Sequence, residues 1–503
     1  MVLEKYKRTI TIGDKMNIVL VTSEAFPYAK TGGLADVAAA LPKALATNGH
    51  QVAVIMPCYP QVFKDKYSKL KVAVKLLAVP FGYGQTKWCR VLVDKVSDKL
   101  SFYFIEHNAF FDRPKLYDYN GEEYQDNAAR FTFLSRAAME TIVQLDMKPD
   151  ILHTSDWHTA LCNVYLKSEI YNNQETFENT KSLITIHNIG YQGIFDKVNM
   201  EHTGLSWDYF NDSCLEYHDQ INFLKAGVLC ADKVNTVSPS YASEILLPEY
   251  GFGLEQPLHH VDHNGNLSGI LNGIDTEEWN PNIDKKIPAN YSVKKMKGKA
   301  ICKAELQKQF GLPIKPKTPL FGVISRLATQ KGLDVFAYCI DLMLIHNDVQ
   351  FVILGSGDKI LENRLNYLAS LYPERFAVYI GYDDKLSHLV EAGSDFFVMP
   401  SRYEPCGLNQ MYSMAYGTVP IVRGTGGLED TVFDCDAEHI SQANGFKFYD
   451  LTGDVLAQSL IRAMNLYNDC PDSYQIIQRN GMNQDFSWEH TANIYESLYL
   501  SMI

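Results

Sequence analysis

Several familiar signals are missing from this 503-residue sequence, and each absence excludes a class of protein. No run of about 18 apolar residues occurs, so no membrane-spanning helix is expected. The ten cysteines are scattered singly without a CxxC pair, which is typical of a reducing compartment and not of a disulfide framework. Neither GxGxxG nor a Walker loop occurs, which disfavours dinucleotide dehydrogenases and P-loop NTPases. Basic residues are outnumbered, 46 against 59 acidic, which argues against nucleic acid or an anionic membrane as partner.

What the sequence does contain is typical of a large globular protein. Apolar residues make up 46% and charged residues 21% of the chain. The length suggests roughly two or three domains. Residues 1–15 mix charges and lack a secretory apolar core, so we interpret them as an N-terminal extension. These features predict a cytoplasmic enzyme, or one of the plastid stroma if the source is plant-like.

Short β-branched runs alternate with helical stretches, which is the pattern of βα units around parallel sheets. The predicted strands fall into two series, 17–22, 51–56 and 183–186 in the first, then 320–324, 350–354, 376–380, 396–399 and 419–422 in the second. Two series predict two doubly wound domains. Turn residues cluster at 271–285, so we place the domains at 16–270 and 271–483. The aromatic-rich region 191–253 is interpreted as helical.

Polar and glycine-rich clusters follow the predicted strands of both series. In open parallel sheets, ligands bind beyond the carboxyl ends of the strands. A site in a cleft between two facing domains would collect these clusters.

Two Thr-Gly-Gly turns each separate a predicted strand from a predicted helix. Glycines let backbone N–H groups approach an anion, and a helix start adds partial positive charge. The first turn follows Lys30 and contains Gly32 and Gly33; the second is 425–427. Together they predict binding of the two ends of one phosphorylated ligand, with two ordinary strand-to-helix turns as the alternative.

Arg326 and Lys331 follow a predicted strand in an otherwise acidic chain. A fixed pair of cations there suits the neutralisation of a diphosphate leaving group, whereas solvated surface charge is the alternative. Glu404 is expected at or just before a helix N-terminus, because Pro405 suits a first helical turn and Gly417 a helix end. Its carboxylate is therefore either a helix cap or a group that faces a sugar.

Asp156, Trp157 and His187 supply polar and aromatic groups from the first series. Carboxylates bind sugar hydroxyls and an indole can pack on a pyranose face, so the first two residues suit sugar recognition. A histidine with apolar neighbours is more often a core residue than a catalyst, and this alternative stays open.

Two metal-like patterns are discounted. The histidine-rich segment 259–263 runs directly into Asn264 and Gly265, a hairpin signal, so we expect a polar hairpin. Asp434 and Asp436 form a DxD pattern, but they follow no predicted strand and are interpreted as a solvated loop. No metal and no cofactor are expected.

Taken in order, these segments resemble the bacterial glycogen synthases and plant starch synthases, which use a sugar nucleotide donor. The stretches that carry the resemblance include KTGGLADV, HTSDWHTAL, TIHNIGYQGIF, SRLATQKGLD, EPCGLNQ and TGGLEDTV. They run from near the start of the chain to past residue 430.

The resemblance implies a metal-independent α/β GT-B fold of two Rossmann-like domains facing a central cleft, with a C-terminal helix at 484–503 that crosses back to the first domain. It implies a glycosyltransferase that moves glucose from ADP-glucose, with retention, to the non-reducing end of an α-1,4-glucan or maltooligosaccharide. The implied catalytic residues are Glu404, Arg326, Lys331, His187 and Asp156. The implied donor-binding residues are Lys30, Gly32, Gly33, Tyr382, Cys406, Gly407, Leu408, Thr425, Gly426 and Gly427.

Two positions and three alternatives qualify the resemblance. Tyr412 stands where related glycosyltransferases carry a second glutamate, which favours the glucan branch, and Gly424 stands where many relatives have Arg. UDP-glucose is the alternative donor. The alternative functions are a sucrose- or trehalose-type synthase that uses UDP-glucose and a non-catalytic glucan-binding descendant.

Overall fold

The computed structural model describes residues 15–61, 70–119, 121–436 and 438–503, so the proposed extension lies outside the described residues except for Lys15. The chain forms two compact units. Unit 1 holds the described residues up to Val237, together with Ala242–Ile270 and Trp488–Ile503; unit 2 holds Ser238–Tyr241 and Leu271–Ser487. In the described part of the chain, no helix is long and apolar enough to cross a membrane.

Unit 1 is built on a nine-stranded sheet. Its strands follow the order Leu267–Gly269, Lys233–Thr236, Lys181–Ile186, Ile151–Ser155, Asn17–Val21, Gln51–Pro57, Leu100–Glu106, Gln85–Lys95 and Lys71–Phe81. The first seven strands in this order are mutually parallel, and the last two form an antiparallel hairpin at one edge. The sequence did not predict this hairpin.

The strand order of unit 1 reverses beside the first strand. The chain runs from Asn17–Val21 to Gln51–Pro57 on one side and later adds Ile151–Ser155 on the other side. Such a switch point is where doubly wound sheets bind ligands, because the loops beyond the two central strands diverge there. The residues that follow these strands, Glu24–Gly33 and Asp156, therefore lie at the expected binding edge.

The prediction of a helical region at 191–253 is confirmed only in part, by the helices Met200–Thr203, Phe223–Cys230 and Pro239–Glu244. The region contains a small antiparallel sheet of Ile194–Asp196, Gln220–Asn222 and Glu216–Tyr217, and it supplies Lys233–Thr236 to the main sheet. Strands of two to four residues are too short to show a period of two in the sequence, so their pattern could not be distinguished from a helical one.

Unit 2 is built on a six-stranded, all-parallel sheet. Its strands follow the order Phe376–Ile380, Gln350–Gly355, Leu320–Ile324, Phe396–Met399, Val419–Arg423 and Phe446–Phe448. In chain order this is 3-2-1-4-5-6, the arrangement of Rossmann folds. The switch point lies between Leu320–Ile324 and Phe396–Met399, directly ahead of Arg326 and of the loop that contains Glu404.

Both faces of the unit 2 sheet are buried. Phe321, Phe351 and Phe396 pack into one apolar core, whereas Leu320 and Val352 pack into another. Successive strand residues point to opposite faces, so the four strands Phe376–Ile380, Gln350–Gly355, Leu320–Ile324 and Phe396–Met399 contribute to both cores. This explains why the strands are continuous apolar runs that could be found from the sequence.

The helices cover the sheets. The helices of at least six residues in unit 1 are Gly33–Thr47, Asn127–Gln144, Leu161–Lys167, Phe223–Cys230, Pro239–Glu244 (which the unit boundary divides), Glu255–His263 and Trp488–Leu500. Those in unit 2 are Lys297–Gln309, Leu333–His346, Lys359–Leu371, Asp384–Gly393, Asn409–Ala415, Gly426–Thr431, Gly453–Asp469 and Pro471–Met482.

The last helix packs on unit 1, and buried hydrogen bonds fix it there. Tyr499 Oη lies 2.8 Å from His153 Nδ1, and Asn235 Nδ2 donates to Tyr495 Oη at 3.0 Å. The helix begins at Trp488, later than the predicted 484.

Candidate active site

The two predicted cations of unit 2 lie beyond strand Leu320–Ile324. Arg326 is exposed, with Nη2 3.5 Å from Gln330 Oε1. Lys331 ends a short 3-10 turn, and the next residue, Gly332, has a φ of +64°. A Cβ at Gly332 would lie 1.8 Å from the carbonyl oxygen of Pro400, so only glycine lets this turn approach the loop after the neighbouring strand.

That approach brings Lys331 onto Glu404, 73 residues away in the chain. Lys331 Nζ lies 2.8 Å from Glu404 Oε1 and 2.6 Å from Oε2, and Ser401 Oγ donates to Oε2 at 2.9 Å. The Glu404 carboxylate is only 8% exposed. Charge-assisted donors therefore satisfy a buried carboxylate that would otherwise be costly to desolvate.

The prediction that Glu404 lies at a helix N-terminus is wrong. The helix begins at Asn409, and Glu404 is part of a loop that precedes it. Arg402 holds this loop, because its guanidinium pairs with both carboxylate oxygens of Asp334 at 2.7 Å. Gly417, with a φ of +64°, does follow the helix as predicted.

The same loop packs against the second Thr-Gly-Gly turn. The Gly427 N–H donates to the carbonyl oxygens of Glu404 at 3.1 Å and of Pro405 at 3.2 Å. A Cβ on Gly426 would lie 2.1 Å from the Glu404 oxygen, and one on Gly427 would lie 2.0 Å from the Cys406 oxygen. These glycines therefore serve close packing, and the Gly427 N–H is engaged by the protein itself rather than left for an anion.

The remaining predicted donor-binding residues of unit 2 lie in the same loop or one strand away. Burial raises the pKa of the Cys406 thiol to about 12, so it is neutral at physiological pH. Gly407 has a φ of +69°, and Leu408 directly precedes the helix. Tyr382 follows strand Phe376–Ile380 and is 75% exposed, so its ring faces solvent.

In unit 1, the first Thr-Gly-Gly turn lies between strand Asn17–Val21 and helix Gly33–Thr47, as predicted. Glu24, which sequence reasoning missed, lies against this turn. Its carboxylate accepts the Thr31 N–H at 2.8 Å, the Thr31 hydroxyl at 2.7 Å and the Gly32 N–H at 3.3 Å. Two N–H groups expected to bind an anion are thus occupied by an internal carboxylate.

Burial raises the pKa of Glu24 above its ordinary value, although the hydrogen bonds from the turn oppose that effect. Lys30 is about half exposed and pairs with Asp36 at 2.7 Å. The signal that could have revealed Glu24 is its position: a carboxylate shortly after a central strand and ahead of the glycine turn.

Asp156 and His187 come together at the switch point of unit 1. Asp156 Oδ1 accepts the backbone N–H of His187 at 2.7 Å, and Asp156 has a φ of +54°. Burial raises the pKa of Asp156 to about 7, against the effect of this hydrogen bond, and Glu24 adds to the rise. Burial lowers the pKa of His187 to about 4, so its imidazole is neutral at physiological pH.

Trp157 does not offer the sugar platform that the sequence suggested. Its indole is 5% exposed, stacks on His158 with ring centroids 4.0 Å apart, and meets Phe131 edge-on. A Cβ on Gly193 would lie 2.5 Å from the indole, so this glycine closes the packing over it. Trp157 is a core residue that supports the backbone of Asp156.

The prediction of a polar hairpin at 259–263 is wrong. These residues end the helix Glu255–His263, and Asn264 and Gly265 form the turn after it. Leu258 and Val261 are buried three residues apart on this helix, so the helical period overrides the turn signal.

The carboxylates of the DxD pattern are bound by protein groups. Asp434 accepts the Lys447 N–H at 2.6 Å and pairs with Arg462, whereas Asp436 accepts the His439 N–H at 2.7 Å. Both residues stabilise their own loop.

Among the residues that the structure describes, one trio has metal-ligand spacing: Glu278, Asp384 and His388. The ammonium of Lys286 lies within 3.1 Å of an oxygen or nitrogen of each. Sequence reasoning missed this cluster, because Glu278 and Lys286 lie about 100 residues before Asp384 and His388 in the chain.

Comparisons with known proteins identify the family of this chain. Residues 17–260 match the starch synthase catalytic domain family, and residues 305–481 match the glycosyl transferases group 1 family. A glycogen synthase from Koribacter versatilis is 44% identical over 96% of this chain and 98% of its own length.

Two solved structures resemble the chain. The catalytic domain of starch synthase IV from Arabidopsis thaliana has a TM-score of 0.88 and 34% identity, with 97% of this chain and 99% of that chain covered. Sucrose-phosphate synthase from Thermosynechococcus elongatus covers the same shares with a TM-score of 0.60 and 18% identity, which shows a shared fold alone. The expected GT-B fold of two Rossmann-like domains is confirmed, and the chain belongs to the glycogen and starch synthase family of glycosyltransferases.

Proposed function

We propose that this chain, as a glycogen or starch synthase, uses ADP-glucose and transfers its glucose with retention to the non-reducing end of an α-1,4-glucan or maltooligosaccharide. The observation that carries the proposal is the pairing of Lys331 with the buried carboxylate of Glu404, five residues after the exposed Arg326, at the switch point of a Rossmann sheet. Two cations and one carboxylate at that edge suit a reaction in which a diphosphate leaves an electron-poor sugar carbon.

Arg326 and Lys331 bind the diphosphate in this proposal. Negative charge builds on the phosphate oxygens as the bond to the glucose C1 breaks, and fixed cations stabilise it without reorganisation. Lys331 is held in place by Glu404 before the donor arrives. The protein thus supplies the charge that a metal ion supplies in other glycosyltransferases.

Glu404 stabilises the oxocarbenium-like glucosyl centre and is not the nucleophile. Lys331 engages both of its oxygens, and Ser401 engages one of them, which lowers the nucleophilicity of the carboxylate. Retention then follows from attack on the same face as the leaving group. The acceptor oxygen bonds to C1, the C1–phosphate bond breaks, and the acceptor proton passes to the departing phosphate oxygen.

Unit 1 contributes the turn of Lys30, Gly32 and Gly33 to donor binding, with Glu24 holding the Gly32 N–H inside the turn. Asp156 and His187 contribute to binding of the glucose being transferred. The neutral imidazole of His187 can donate a hydrogen bond to a sugar hydroxyl without placing a positive charge beside the glucosyl centre. Asp156 fixes the backbone at His187 and supplies a carboxyl group there.

Tyr382 binds the nucleotide base by stacking, with the loops at 406–408 and 425–427 completing the donor site. An exposed aromatic ring after a strand suits a flat base, and stacking of this kind tolerates any base. The choice of ADP-glucose is supported by the starch synthase IV structure, which holds ADP and acarbose. Ten free cysteines support a cytoplasmic location.

The test compares kcat/KM for ADP-glucose and UDP-glucose on one glycogen preparation and resolves product chain lengths. We expect ADP-glucose to be preferred and maltooligosaccharides to grow by single glucose units. A preference for UDP-glucose would refute the donor assignment. Formation of a disaccharide would favour the sucrose- or trehalose-type alternative, and absence of nucleotide release with either donor would favour a glucan-binding descendant.

A further inference from the structure

A lysine lies at the centre of the metal-like trio next to the proposed base-binding tyrosine. Lys286 Nζ is 2.9 Å from Glu278 Oε1, 2.7 Å from Asp384 Oδ2 and 3.1 Å from His388 Nε2. Partial burial acts to lower the pKa of Lys286, but the hydrogen bonds that it donates to Asp384 and Glu278 outweigh it and raise that pKa. The ammonium therefore stays charged and lies where a metal cation would lie in the trio.

The hydrogen-bond partners fix the histidine of this cluster in one tautomer. An ammonium has no lone pair, so His388 Nε2 must accept from Lys286 and Nδ1 must carry the hydrogen. Nδ1 then donates to Asp284 Oδ2 at 2.8 Å, and Tyr416 Oη donates to the same oxygen at 2.6 Å. Burial acts to raise the pKa of Asp284, but these hydrogen bonds outweigh it and hold the pKa below its ordinary value.

Aromatic stacking makes the His388 side of this cluster rigid. The indole of Trp279 lies between the rings of His388 and Tyr412, with centroids 3.9 Å from each and planes within 11° of parallel. His388 is fully buried. The ammonium of Lys286 thus contacts a histidine that cannot easily shift.

The same ammonium also pairs with Asp384, at the solvent-exposed start of a helix. Asp384 begins the helix Asp384–Gly393, two residues after Tyr382, whose ring has few neighbours to fix it. Tyr382 Oη is 3.5 Å from Asp384 Oδ1, which is too long for a strong bond. His388 lies one turn further along the same helix, and the ion pairs of Lys286 with Asp384 and Glu278 additionally fix the first residue of that helix, two residues after Tyr382.

We propose that Lys286 is a positioning residue for the nucleotide part of the donor, because it holds the loop that carries Tyr382. The inference rests on the proposed role of Tyr382 in base binding. Without the ion pair, the loop must be ordered when the nucleotide binds, and that ordering cost weakens donor binding. Chemistry at the glucosyl carbon and glucan binding do not involve this loop.

The test uses Lys286→Ala with Lys315→Ala as the matched control. Lys315 belongs to the same unit and pairs with Asp348 at 3.4 Å in an exposed position. In Lys286→Ala we expect the donor KM to rise about three- to tenfold, the range for ordering one side chain on binding, with kcat and the glucan KM unchanged. The control should match the wild type.

Chemical rescue separates a positioning charge from a packing role. Truncation of Lys286 to alanine leaves an anionic cavity among Glu278, Asp384 and His388, and n-propylammonium replaces the atoms removed. We expect this amine to restore the donor KM of Lys286→Ala without affecting the control. An unchanged donor KM, a fall in kcat instead, or a raised KM that the amine does not restore would each overturn the proposal.

Two further variants keep the test decisive. Should Lys286→Ala fail to fold, Asp384→Asn removes the loop end of the same ion pair and should raise the donor KM to a similar extent. Tyr382→Ala separates this inference from the proposed function: an unchanged donor KM there refutes base binding by Tyr382. A raised KM in Tyr382→Ala with no change in the Lys286 and Asp384 variants refutes only the role of Lys286.

Discussion

Asp156 offers a test of the site that depends on pH. Its pKa is raised to about 7 from an ordinary value of 3.8, because the carboxyl group is buried. Between these two values, the folded state keeps a proton that the unfolded state has released. Stability therefore falls as the pH rises from about 4 and levels off above about 7, where both states are ionised.

The magnitude follows from the two pKa values. At about 1.4 kcal/mol for each pH unit between them, ionised Asp156 costs the fold about 4 kcal/mol above pH 7. At pH 5 the cost is still below about 2 kcal/mol, so about 2–3 kcal/mol is lost between pH 5 and pH 8. Asp156→Asn should remove this loss, because asparagine cannot ionise, still accepts the N–H of His187 and tolerates a positive φ.

The assay is thermal and urea unfolding of the wild type and Asp156→Asn from pH 5 to pH 8. We expect the advantage of the variant in Tm to grow by about 5–10 °C across this range, while its glucosyl transfer falls. Asp146→Asn is the matched control, because Asp146 also has a positive φ of 46° but its side chain is 70% exposed. A difference between Asp156→Asn and the wild type that does not change with pH would refute the reasoning.

Other perturbations have direct readouts. Lys331→Ala should lower kcat by about 10²–10³ with little effect on glucan binding, since its charge matters most as the diphosphate leaves; near-normal steady-state turnover would remove it from the site. Gly427→Ala should destabilise unit 2 by about 1–3 kcal/mol in urea unfolding, because the new Cβ meets the Cys406 oxygen, and unchanged stability would contradict that geometry. Trp279→Ala should lower the free energy of unfolding in urea by about 1–3 kcal/mol through loss of its two stacking contacts. An unchanged free energy would contradict a stabilising role for the stack. EDTA should leave the rate of glucosyl transfer unchanged, because side-chain cations neutralise the diphosphate, and a rate restored only by added Mg²⁺ or Mn²⁺ would contradict this.

The strands were predictable because their signal is local. Leu320–Ile324, Phe376–Ile380 and Phe396–Met399 begin and end where the sequence predicted, since strands buried on both faces are apolar throughout. The short strands between 191 and 253 could not be predicted, because they contain too few residues to show a period.

The positions of the candidate site residues after the strands could be predicted from the sequence, but the contacts between their side chains could not. The residues that follow the central strands, such as Arg326 and Asp156, could be found because parallel sheets collect loops at one edge. The loop conformation of Glu404 was wrongly predicted, because Pro405, which suits a first helical turn, also occurs in a loop that other side chains hold in place. Glu24 was missed because its role depends on which N–H groups face it in the folded chain.

The sequence by itself determined the two series of strands, the turns between them and the residues that suit a diphosphate and a sugar. These properties depend on neighbours in the chain, and a few residues are enough to show them. Only the tertiary structure decided that Lys331 pairs with Glu404 and that Lys286 meets Asp384 and His388, about 100 residues further along the chain. Those contacts depend on strand order and on glycines that let loops meet, such as Gly332 against the Pro400 carbonyl, and no local pattern encodes them.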